Sequence, residues 1–507
     1  MRLAELLLEL PRARLLGDGQ IDASAVTHDS RRVAPGSVFV AVPGIKVDGH
    51  DYIPQALVAG AACIVVQADH EAVWRPLLDQ RALPALVAPD TRAALATIAA
   101  SLNGHPARQL RVVGVTGTNG KTSLCHLIAH ILESAGQKTG LISTAQWRIG
   151  GAHLPDTGRF TTPEAPELQS MLRQIADAGC RWAVVEATSH GLAQHRLDHC
   201  EFDVAAVTNI GSDHLDFHGG VEGYMAAKGL LFRMLDQSLN KDVPKVAVLN
   251  RDDSSFAYLR SLTRAEIVSY GLSGGADIHA TDVEEEAWSS RFLLHTPQGE
   301  SEAQLRCPGT FSVYNALAAT AVALSAGLGL DAICRALAEW PGAPGRLELI
   351  DEGQRFTVVV DFAHAPDSLR GALRLLRARS RGRIIAVFGC IGERERDRRS
   401  GMGVVAAEAA DYTIVTDDDP YSENRDAIIG EIASGLLASG KREGHDFALI
   451  PDRREAISHA LTMAVDEDAV LLAGKGHERE VHLADSSYEC DDREVARRVL
   501  RELARGR

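Results

Sequence analysis

A glycine-rich loop that carries a lysine and a threonine is the stretch of this chain best equipped for chemistry. It reads Val-Thr-Gly-Thr-Asn-Gly-Lys-Thr, from Val115 to Thr122. The backbone N–H groups of such a loop, together with the start of a following helix, hold an anion. Lys121 can reach the terminal phosphates of a nucleotide, and the Thr122 hydroxyl can bind Mg²⁺. The sequence therefore predicts a nucleotide-phosphate site, with a plain strand–helix turn as the alternative.

The elements on either side of the loop are those that a phosphate site needs. An apolar run from Arg111 to Val115 predicts a strand that leads into the loop. After the loop, apolar residues recur at helical spacing from Leu124 to Ala135, and Gly136 supplies a helix stop. The loop departs from the usual P-loop spacing, because Val115 stands where the first glycine belongs. The strand–loop–helix order still favours phosphate binding.

Two further side chains lie at predicted strand ends. Glu186 closes the strand from Arg181 to Glu186, and His214 follows the strand from Phe202 to Asn209. Ligands gather at the carboxyl ends of parallel strands, so this carboxylate and imidazole could hold Mg²⁺ or a water. A helix N-cap for Glu186 and a structural hydrogen bond for His214 are the alternatives. By composition alone, Lys228 would be an ordinary solvated helix lysine.

The pattern of strands and helices divides the chain into three α/β domains. Residues 1–107 form a small module, residues 108–344 a central domain with a parallel sheet, and residues 345–507 a βαβ array that resembles a second nucleotide fold. The Pro- and Gly-rich run from Pro341 to Gly345 reads as the linker before the third domain.

The third domain shows the clearest strand–helix alternation. We predict strands at 358–361, 384–388, 412–416, 447–450 and 469–472, and helices at 367–379, 402–410, 425–438 and 453–465. Asp417, Asp418 and Asp419 follow the third of these strands, and Gly474 to Glu478 follow the last. These positions predict a second ligand surface at the strand ends, with a solvated acidic loop as the alternative.

Bulk properties exclude several classes of protein. At 507 residues the chain is too long for one core, and a formal net charge of −15 argues against a general nucleic-acid binder. The eight cysteines form no CxxC pair, which disfavours a zinc site or a disulfide framework and fits a reducing cytoplasm. We see neither a signal peptide nor a spanning apolar run, and we expect a monomer.

Several motifs together resemble the Mur ligases. Beside the loop from Thr116 to Thr122, they are Glu186-Ala-Thr-Ser-His-Gly-Leu-Ala-Gln-His-Arg196, Thr208-Asn-Ile-Gly-Ser-Asp-His-Leu-Asp216, Tyr224-Met-Ala-Ala-Lys228, the stretch from Gly309 to Ala319, Gly345-Arg-Leu-Glu348 and Asp361-Phe-Ala-His-Ala-Pro366. The segment that begins at Glu186 looks like the MurE type. The motifs run through nearly the whole chain.

This resemblance implies a fold and a reaction. The fold would be a small N-terminal UDP-binding α/β domain, a central P-loop ATPase domain with a parallel sheet, and a C-terminal Rossmann-like domain. The reaction would be cytoplasmic ATP- and Mg²⁺-dependent addition of a third residue, a free diamino acid, to UDP-MurNAc-L-Ala-D-Glu. It belongs to peptidoglycan synthesis, which supports cell shape and division, and it runs through an acyl phosphate and a tetrahedral intermediate. CO₂ would carbamylate Lys228, converting a cation into a carboxylate.

The resemblance also implies residue roles. ATP would be bound by Gly117, Thr118, Asn119, Gly120, Lys121, Thr122, Asn315, Arg346 and Asp361. Metal would be held by Thr122, Glu186, His214 and carbamylated Lys228, and the catalytic group would be Lys121, Glu186, His214 and Lys228. The UDP substrate would meet Ser30, Thr161, Thr162, Thr188, Gln194 and Arg196. The amino acid would meet Arg394, Asp418, Asp419, Tyr421, Gly474 and Glu478.

One motif departs from the family pattern. Relatives that use meso-diaminopimelate carry Asp-Asn-Pro-Arg, whose arginine grips the distal carboxylate of that substrate. Here the matching residues run from Asp418 to Tyr421 and read Asp-Asp-Pro-Tyr. The arginine is absent, and Asp419 adds a negative charge that suits an ammonium and repels a carboxylate. We therefore predict L-lysine or L-ornithine rather than meso-diaminopimelate.

Two other readings remain. Another Mur-like amide ligase, of the MurF type or related to folylpolyglutamate synthase, is disfavoured by the Ser-His-Gly-Leu stretch at Ser189 and by the Asp-Asp-Pro element. A catalytically silent binding protein on the same scaffold is disfavoured because Lys121, Glu186, His214 and Lys228 are all present.

Overall fold

The computed structural model describes residues 1–44, 47–154, 160–211, 213, 215–394 and 396–506. The chain forms two compact units. The first comprises Met1–Glu284, Arg291–Leu305 and Thr310–Trp340, and the second comprises Glu285–Ser290, Arg306–Gly309 and Pro341–Arg507. Within the described ranges, no helix is both long enough and apolar enough to cross a membrane.

The first unit begins with a five-stranded sheet. Its strands are β1 Arg14–Leu16, β2 Ala25–Thr27, β3 Ser37–Val40, β4 Cys63–Gln67 and β5 Ala85–Ala88, in the order β1-β5-β4-β3-β2. Only the β1–β5 pair is antiparallel. The helices are α1 Leu3–Leu8, α2 Ile53–Val58, α3 Glu71–Gln80 and α4 Thr91–Leu102. Apolar residues pack on both faces of this sheet, which explains why its central strands are continuous apolar runs.

An eleven-stranded sheet forms the rest of the first unit. Its strands are β6 Arg111–Thr116, β7 Thr139–Ile142, β8 Trp147–Ile149, β9 Ala152–Leu154, β10 Trp182–Glu186, β11 Val204–Val207, β12 Val246–Asn250, β13 Glu266–Gly271, β14 Ile278–Glu285, β15 Ser290–Thr296 and β16 Gly299–Leu305. Their order is β16-β15-β14-β13-β12-β11-β6-β10-β7-β8-β9. Strand β6 lies between β11 and β10 and is parallel to both, so all three end at one edge.

The helices that surround this sheet are α5 Lys121–Ser134, α6 Ala165–Asp177, α7 Ser189–Ala193, α8 Leu215–His218, α9 Val221–Gln237, α10 Phe256–Arg260, α11 Thr310–Ser325 and α12 Leu330–Glu339. Helix α5 starts directly after the glycine-rich loop and buries its apolar stripe.

The second unit is built on a six-stranded sheet. Its strands are β17 Glu348–Leu349, β18 Thr357–Asp361, β19 Ile384–Phe388, β20 Tyr412–Val415, β21 Phe447–Leu449 and β22 Ala469–Ala473, in the order β17-β18-β22-β19-β20-β21. All pairs except β17–β18 are parallel. The hairpin β23 Glu480–His482 and β24 Ser487–Glu489 follows. The helices are α13 Pro366–Arg377, α14 Asp397–Ala409, α15 Arg425–Ala438, α16 Arg453–Met463 and α17 Asp492–Gly506.

The predicted mixed α/β architecture is confirmed, and the five strands predicted after residue 345 all exist within one residue of their predicted ends. Helix α14 begins at Asp397 rather than at 402, because its first turn is polar and gives no apolar period. Strands β7 to β9 and β13 to β16 were not predicted. Strands β14 and β16 carry mostly polar, partly exposed side chains, so they lack the apolar runs that marked the other strands.

Candidate functional site

The glycine-rich loop links β6 to α5 as predicted. Gly117 and Gly120 both have positive φ angles, +145° and +84°, which L side chains rarely adopt. A Cβ on Gly117 would also collide with the Thr208 hydroxyl. Lys121 is the first residue of α5, and its Nζ donates to the carbonyls of Gly117 and Thr118, each at 2.9 Å. The lysine is therefore folded over its own loop.

The end of β11 holds the other side of the loop. The N–H of Thr118 donates to the Asn209 carbonyl at 2.7 Å, and the side chain of Asn209 both accepts from the Asn119 N–H and donates to the Asn119 carbonyl. The Thr208 hydroxyl donates to the same carbonyl at 2.6 Å. On α11, Asn315 lies beside Gly120, since a Cβ on that glycine would stand 3.1 Å from its Oδ1.

Glu186 lies at the end of β10 and contacts the start of α5. The Thr122 hydroxyl is 3.1 Å from both carboxylate oxygens, and the N–H of Thr144 donates to Oε2 at 2.9 Å. The N-cap alternative for Glu186 is wrong, because Thr188 caps α7 by accepting from the Gly191 N–H. A carboxylate and a hydroxyl, both hard oxygen donors, fit Mg²⁺. His214 lies outside the described residues.

Lys228 is buried inside the site, not solvated on its helix. Only 1% of the residue is exposed, and its Nζ donates to the Gly117 carbonyl at 2.7 Å and lies 4.4 Å from the centre of the Tyr224 ring. Burial lowers the pKa of Lys228 well below its usual range, and the nearby charge of Lys121 lowers it further. A larger fraction of this amine is therefore neutral and nucleophilic.

Four of the six residues predicted for the UDP substrate are connected by hydrogen bonds next to Glu186: Thr162, Thr188, Gln194 and Arg196. The Thr162 hydroxyl donates to the Glu186 carbonyl at 2.8 Å and is 3.0 Å from the Thr188 hydroxyl. Arg196 donates to the Thr162 carbonyl at 3.0 Å and to Gln194 Oε1 at 2.7 Å.

The other contacts of the residues predicted for the UDP substrate could not be read from the motifs. Arg196 is also paired with Glu164 at 2.8 Å, so its charge is already matched. Thr161 joins the group through Thr144, whose hydroxyl donates to it at 3.0 Å. Ser30 lies in the five-stranded sheet region, where its hydroxyl donates to Gln55 Oε1 at 2.8 Å.

Arg346 and Asp361 lie together in the second unit. The Arg346 guanidinium stacks 4.4 Å from the centre of the Phe362 ring, and the Leu347 N–H donates to Asp361 Oδ2 at 2.8 Å. Burial raises the pKa of Asp361, and the charge of Arg346 opposes that shift.

The carboxyl ends of β20 and β22 bring four charged side chains together, which we call the acidic cluster: Asp418, Asp419, Lys475 and Glu478. The Lys475 Nζ lies 2.8 Å from Asp419 Oδ1, 2.7 Å from Glu478 Oε2 and 3.8 Å from Asp418 Oδ1. A solvated acidic loop is therefore wrong, because Asp418, Asp419 and Lys475 are all buried. Burial raises the pKa of Glu478 to about 7, although the positive charge of Lys475 acts to lower it.

Asp418 stands apart within the acidic cluster. It is 1% exposed, and neither carboxylate oxygen has a hydrogen-bond partner among the residues that the structure describes. Gly474, at φ +105°, passes so close that a Cβ there would stand 2.8 Å from Asp418 Oδ2. A buried carboxylate without a donor is costly unless a ligand supplies one. This arrangement fits an ammonium group.

Lys475 and Arg453 were missed as site residues. Lys475 is three residues before Glu478, a spacing that could have suggested an ion pair. Arg453 is buried, forms two hydrogen bonds with Asp492 at 2.7 and 2.6 Å, and donates to the carbonyls of Asp417 and Ala473 at 2.9 and 2.8 Å. It therefore fixes the backbone where β20 and β22 enter the acidic cluster, which no local pattern reveals.

Arg394 and Tyr421 lie in two loops beside the acidic cluster. Arg394 is exposed in the loop after β19. Tyr421 has a φ of +49°, donates its N–H to the His482 carbonyl at 3.1 Å and lies parallel to the His482 ring. The aromatic side chain that replaces the family arginine is thus held against the β23–β24 hairpin.

Family models for Mur ligases match most of the chain. The model "Mur ligase family, catalytic domain" matches residues 22–102, "Mur ligase middle domain" matches residues 115–323, and "Mur ligase, glutamate ligase domain" matches residues 345–476.

Curated relatives and solved structures resemble the chain over its full length. A UDP-N-acetylmuramyl-tripeptide synthetase of Roseiflexus sp. (strain RS-1) is 44% identical, with 100% of both chains covered. A UDP-N-acetylmuramoyl-L-alanyl-D-glutamate–2,6-diaminopimelate ligase of Geobacillus thermodenitrificans (strain NG80-2) is 41% identical, over 99% of this chain and 100% of the relative. A solved 2,6-diaminopimelate ligase of the same description matches with a TM-score of 0.66 and 30% identity, covering 99% of both chains.

Proposed function

The chain belongs to the Mur ligase family of ATP-dependent amide ligases, and we propose that it adds the third amino acid to UDP-N-acetylmuramoyl-L-alanyl-D-glutamate in the cytoplasm. The observation that carries the proposal is the group formed by Lys121, Thr122, Glu186 and Lys228 around the glycine-rich loop. It places two amines, a hydroxyl and a carboxylate at one sheet edge, where a phosphoryl group and a carboxylate could meet.

The proposed chemistry has two steps. The γ-carboxylate of the D-glutamate attacks the γ-phosphorus of ATP, giving an acyl phosphate and ADP. The amine of the incoming amino acid then attacks the acyl carbon, loses a proton, and expels phosphate as the amide forms. In the first step a carboxylate must approach the negatively charged phosphates, and in the second the amine must be aligned with the acyl carbon. The protein therefore contributes mainly positive charge and alignment.

Each residue of the group has a proposed part. Lys121 would leave the loop carbonyls that it now contacts and take the phosphate charge. Thr122 and Glu186, with the predicted ligand His214, would hold Mg²⁺, which neutralises charge on the transferred phosphoryl group.

Lys228 is the proposed site of carbamylation. Its neutral amine would add to CO₂ and release one proton, forming a carbamate that can act as a further metal ligand. Incubation with ¹³C-labelled bicarbonate should give one carbamate resonance that is lost in Lys228→Met. Persistence of that resonance in the variant would contradict the assignment.

The UDP-sugar peptide and ATP would be bound by the residues that the family motifs indicate. Thr161, Thr162, Thr188, Gln194 and Arg196 would contact the UDP-sugar peptide near Glu186, and Ser30 would contact its uridine. Asn315, Arg346 and Asp361 would contact ATP. The Glu164 partner of Arg196 means that a substrate carboxylate would have to share this guanidinium or displace Glu164.

For the added amino acid we propose L-lysine or L-ornithine, although several relatives are named as 2,6-diaminopimelate ligases. Tyr421 supplies no charge for a distal carboxylate. The contacts alter the role first given to Asp419, since Lys475 already pairs with it. Asp418, whose carboxylate has no hydrogen-bond donor among the described residues, is thus the group that most favours an ammonium. Glu478 is also paired with Lys475, but it adds a further negative charge, and a second substrate carboxylate beside these groups would be repelled.

The decisive test is phosphate release by the purified protein with ATP, Mg²⁺ and UDP-N-acetylmuramoyl-L-alanyl-D-glutamate. Lysine, ornithine and meso-diaminopimelate are supplied one at a time. We expect turnover with lysine or ornithine, and a shift toward meso-diaminopimelate in Tyr421→Arg but not in the control Tyr421→Phe. Efficient use of meso-diaminopimelate by the unchanged protein would overturn the specificity, and no turnover with any amino acid would overturn the function.

A further inference from the structure

We propose that Arg399 is a positioning residue that fixes the geometry of the amino-acid site by joining two loops through Glu423. The first loop, 391–394, carries Arg394, and the second, 418–424, carries Asp418 and Tyr421. This inference rests on the proposed function, because it assigns a role to the loops that would receive the amino acid. We call the set of contacts between them the loop clasp.

Arg399 is the buried centre of the loop clasp. It lies on α14 and is 1% exposed. Its two terminal nitrogens donate to Glu423 Oε2 at 3.0 Å and Oε1 at 3.2 Å, and one of them also donates to Glu431 Oε2 at 2.9 Å. The Ile391 carbonyl accepts from it at 3.4 Å. One guanidinium therefore contacts both loops and the body of α15.

Direct hydrogen bonds close the loop clasp. The Gly392 N–H donates to the Asp419 carbonyl at 2.8 Å, and the Glu393 N–H donates to Glu423 Oε1 at 2.5 Å. In return, Glu393 Oε1 accepts from the Ser422 N–H at 3.2 Å and from its hydroxyl at 2.6 Å. A Cβ on Gly392 would collide with the Pro420 carbonyl, so the backbones touch.

The backbone in both loops needs such support. Glu393 has a φ of +58° and Tyr421 a φ of +49°, a region that costs free energy for residues other than glycine. A buried arginine with two carboxylates, placed between the two strained segments, holds them in that conformation. The strained residues and the arginine that supports them lie beside the residues proposed to bind the substrate. Such support of a binding site is typical of preorganised sites.

The two carboxylates on Arg399 provide a matched pair of variants. Glu423 belongs to the loop, whereas Glu431 lies in the middle of α15. Glu423→Gln turns one acceptor into an N–H₂ donor that faces Arg399 or the Glu393 N–H. Glu431→Gln makes the same chemical change on the same guanidinium and leaves the loops joined. Arg399→Lys keeps the charge but loses the forked geometry.

The test measures amino-acid use separately from acid activation. We expect Glu423→Gln and Arg399→Lys to raise KM for the amino acid about 10- to 100-fold, since small misplacements near reacting groups have effects of that size. Activation without amino acid, followed as hydroxamate formed when hydroxylamine traps the acyl phosphate, should stay unchanged. Glu431→Gln should resemble the unchanged protein in both assays.

Hydrogen exchange tests the loop clasp independently of activity. The amides of Gly392 and Glu393 should exchange faster in Glu423→Gln and not in Glu431→Gln. Equal behaviour of the two glutamine variants in kinetics and exchange would overturn the inference, as would loss of hydroxamate formation in step with turnover. If the unchanged protein forms no hydroxamate, the proposed function fails, and the exchange comparison still decides whether the loop clasp exists.

Discussion

At the scale of single residues, the acidic cluster is governed by one buried ammonium among three carboxylates. Lys475 pairs with Asp419 and Glu478, and Asp418 has no hydrogen-bond donor among the described residues. Adding an ammonium to this cluster supplies the donor that Asp418 lacks and offsets the excess negative charge. If the amino acid binds here as proposed, protonation of Glu478 competes with binding of its ammonium group.

This competition predicts a pH dependence. Burial raises the pKa of Glu478 to about 7, so the carboxyl is largely protonated at pH 6 and largely ionised at pH 8. Because the substrate ammonium prefers the ionised form, KM for the amino acid should fall as pH rises, by up to about tenfold across one pH unit below the pKa. Steady-state kinetics between pH 6 and 8 measures it.

Glu478→Gln should flatten this pH profile, while the exposed control Glu480→Gln should keep it. An unchanged slope in Glu478→Gln would assign the titration to another group.

Functional residues could be predicted from the sequence only where they belong to a recognisable motif. Lys121, Glu186 and Lys228 were found as motif positions, but the burial that lowers the pKa of Lys228 was not. Lys228 contacts the Gly117 carbonyl in the loop after β6, which is distant from α9 in sequence. Arg453 and Lys475 have no motif of their own here. Their roles depend on partners brought together by strand order, and no local spacing encodes that order.

At the scale of elements, the phosphate loop depends on a close approach between two strand ends. Gly117 lies where β6 ends and meets Thr208 at the end of β11. The residues that make this contact come from parallel neighbours, so their proximity follows from the sheet order. The strand–loop–helix order was predicted from the sequence, but the pairing of the loop with residues 208 and 209 was not, because it depends on the order of strands in the sheet.

Gly117→Ala should therefore disable the loop. The new methyl group would collide with the Thr208 hydroxyl, and a φ of +145° is unfavourable for alanine. We expect kcat/KM for ATP to fall about 100-fold, because the phosphate-binding backbone must shift.

The control for this loop variant is Gly329→Ala, whose added Cβ would meet nothing within 4 Å. Its stability should stay within about 0.5 kcal/mol and its kinetics should not change. Nucleotide titration of both variants gives the comparison, and normal ATP use by Gly117→Ala would show that the loop can relax.

At the scale of the whole molecule, the chain has two compact units with separate cores. The buried pair of Arg453 and Asp492 belongs to the second unit and ties α16 to α17. Removing one partner of a buried ion pair leaves an uncompensated charge, which costs about 3–5 kcal/mol. Separate cores allow the two units to unfold in separate steps.

Asp492→Asn should accordingly shift only one thermal transition. In calorimetry we expect two transitions, with the one assigned to the second unit lowered by on the order of 10 °C. Asp466→Asn, which alters an exposed pair with Arg355, should leave both unchanged. Equal shifts of both transitions in Asp492→Asn would mean that the molecule unfolds as one cooperative body.

The residues proposed for amino-acid binding and those proposed for acid activation lie in different units, which has a consequence for how specificity can evolve. The residues proposed to bind the incoming amino acid all follow strands of the six-stranded sheet. Glu186 ends a strand of the eleven-stranded sheet, and Lys121 and Lys228 lie on α5 and α9 beside it. A lineage could thus exchange the third residue of its wall peptide through a few codon changes in one short segment, leaving acid activation untouched. A mutant library confined to Asp419 and Tyr421 would be small enough to search exhaustively by growth selection.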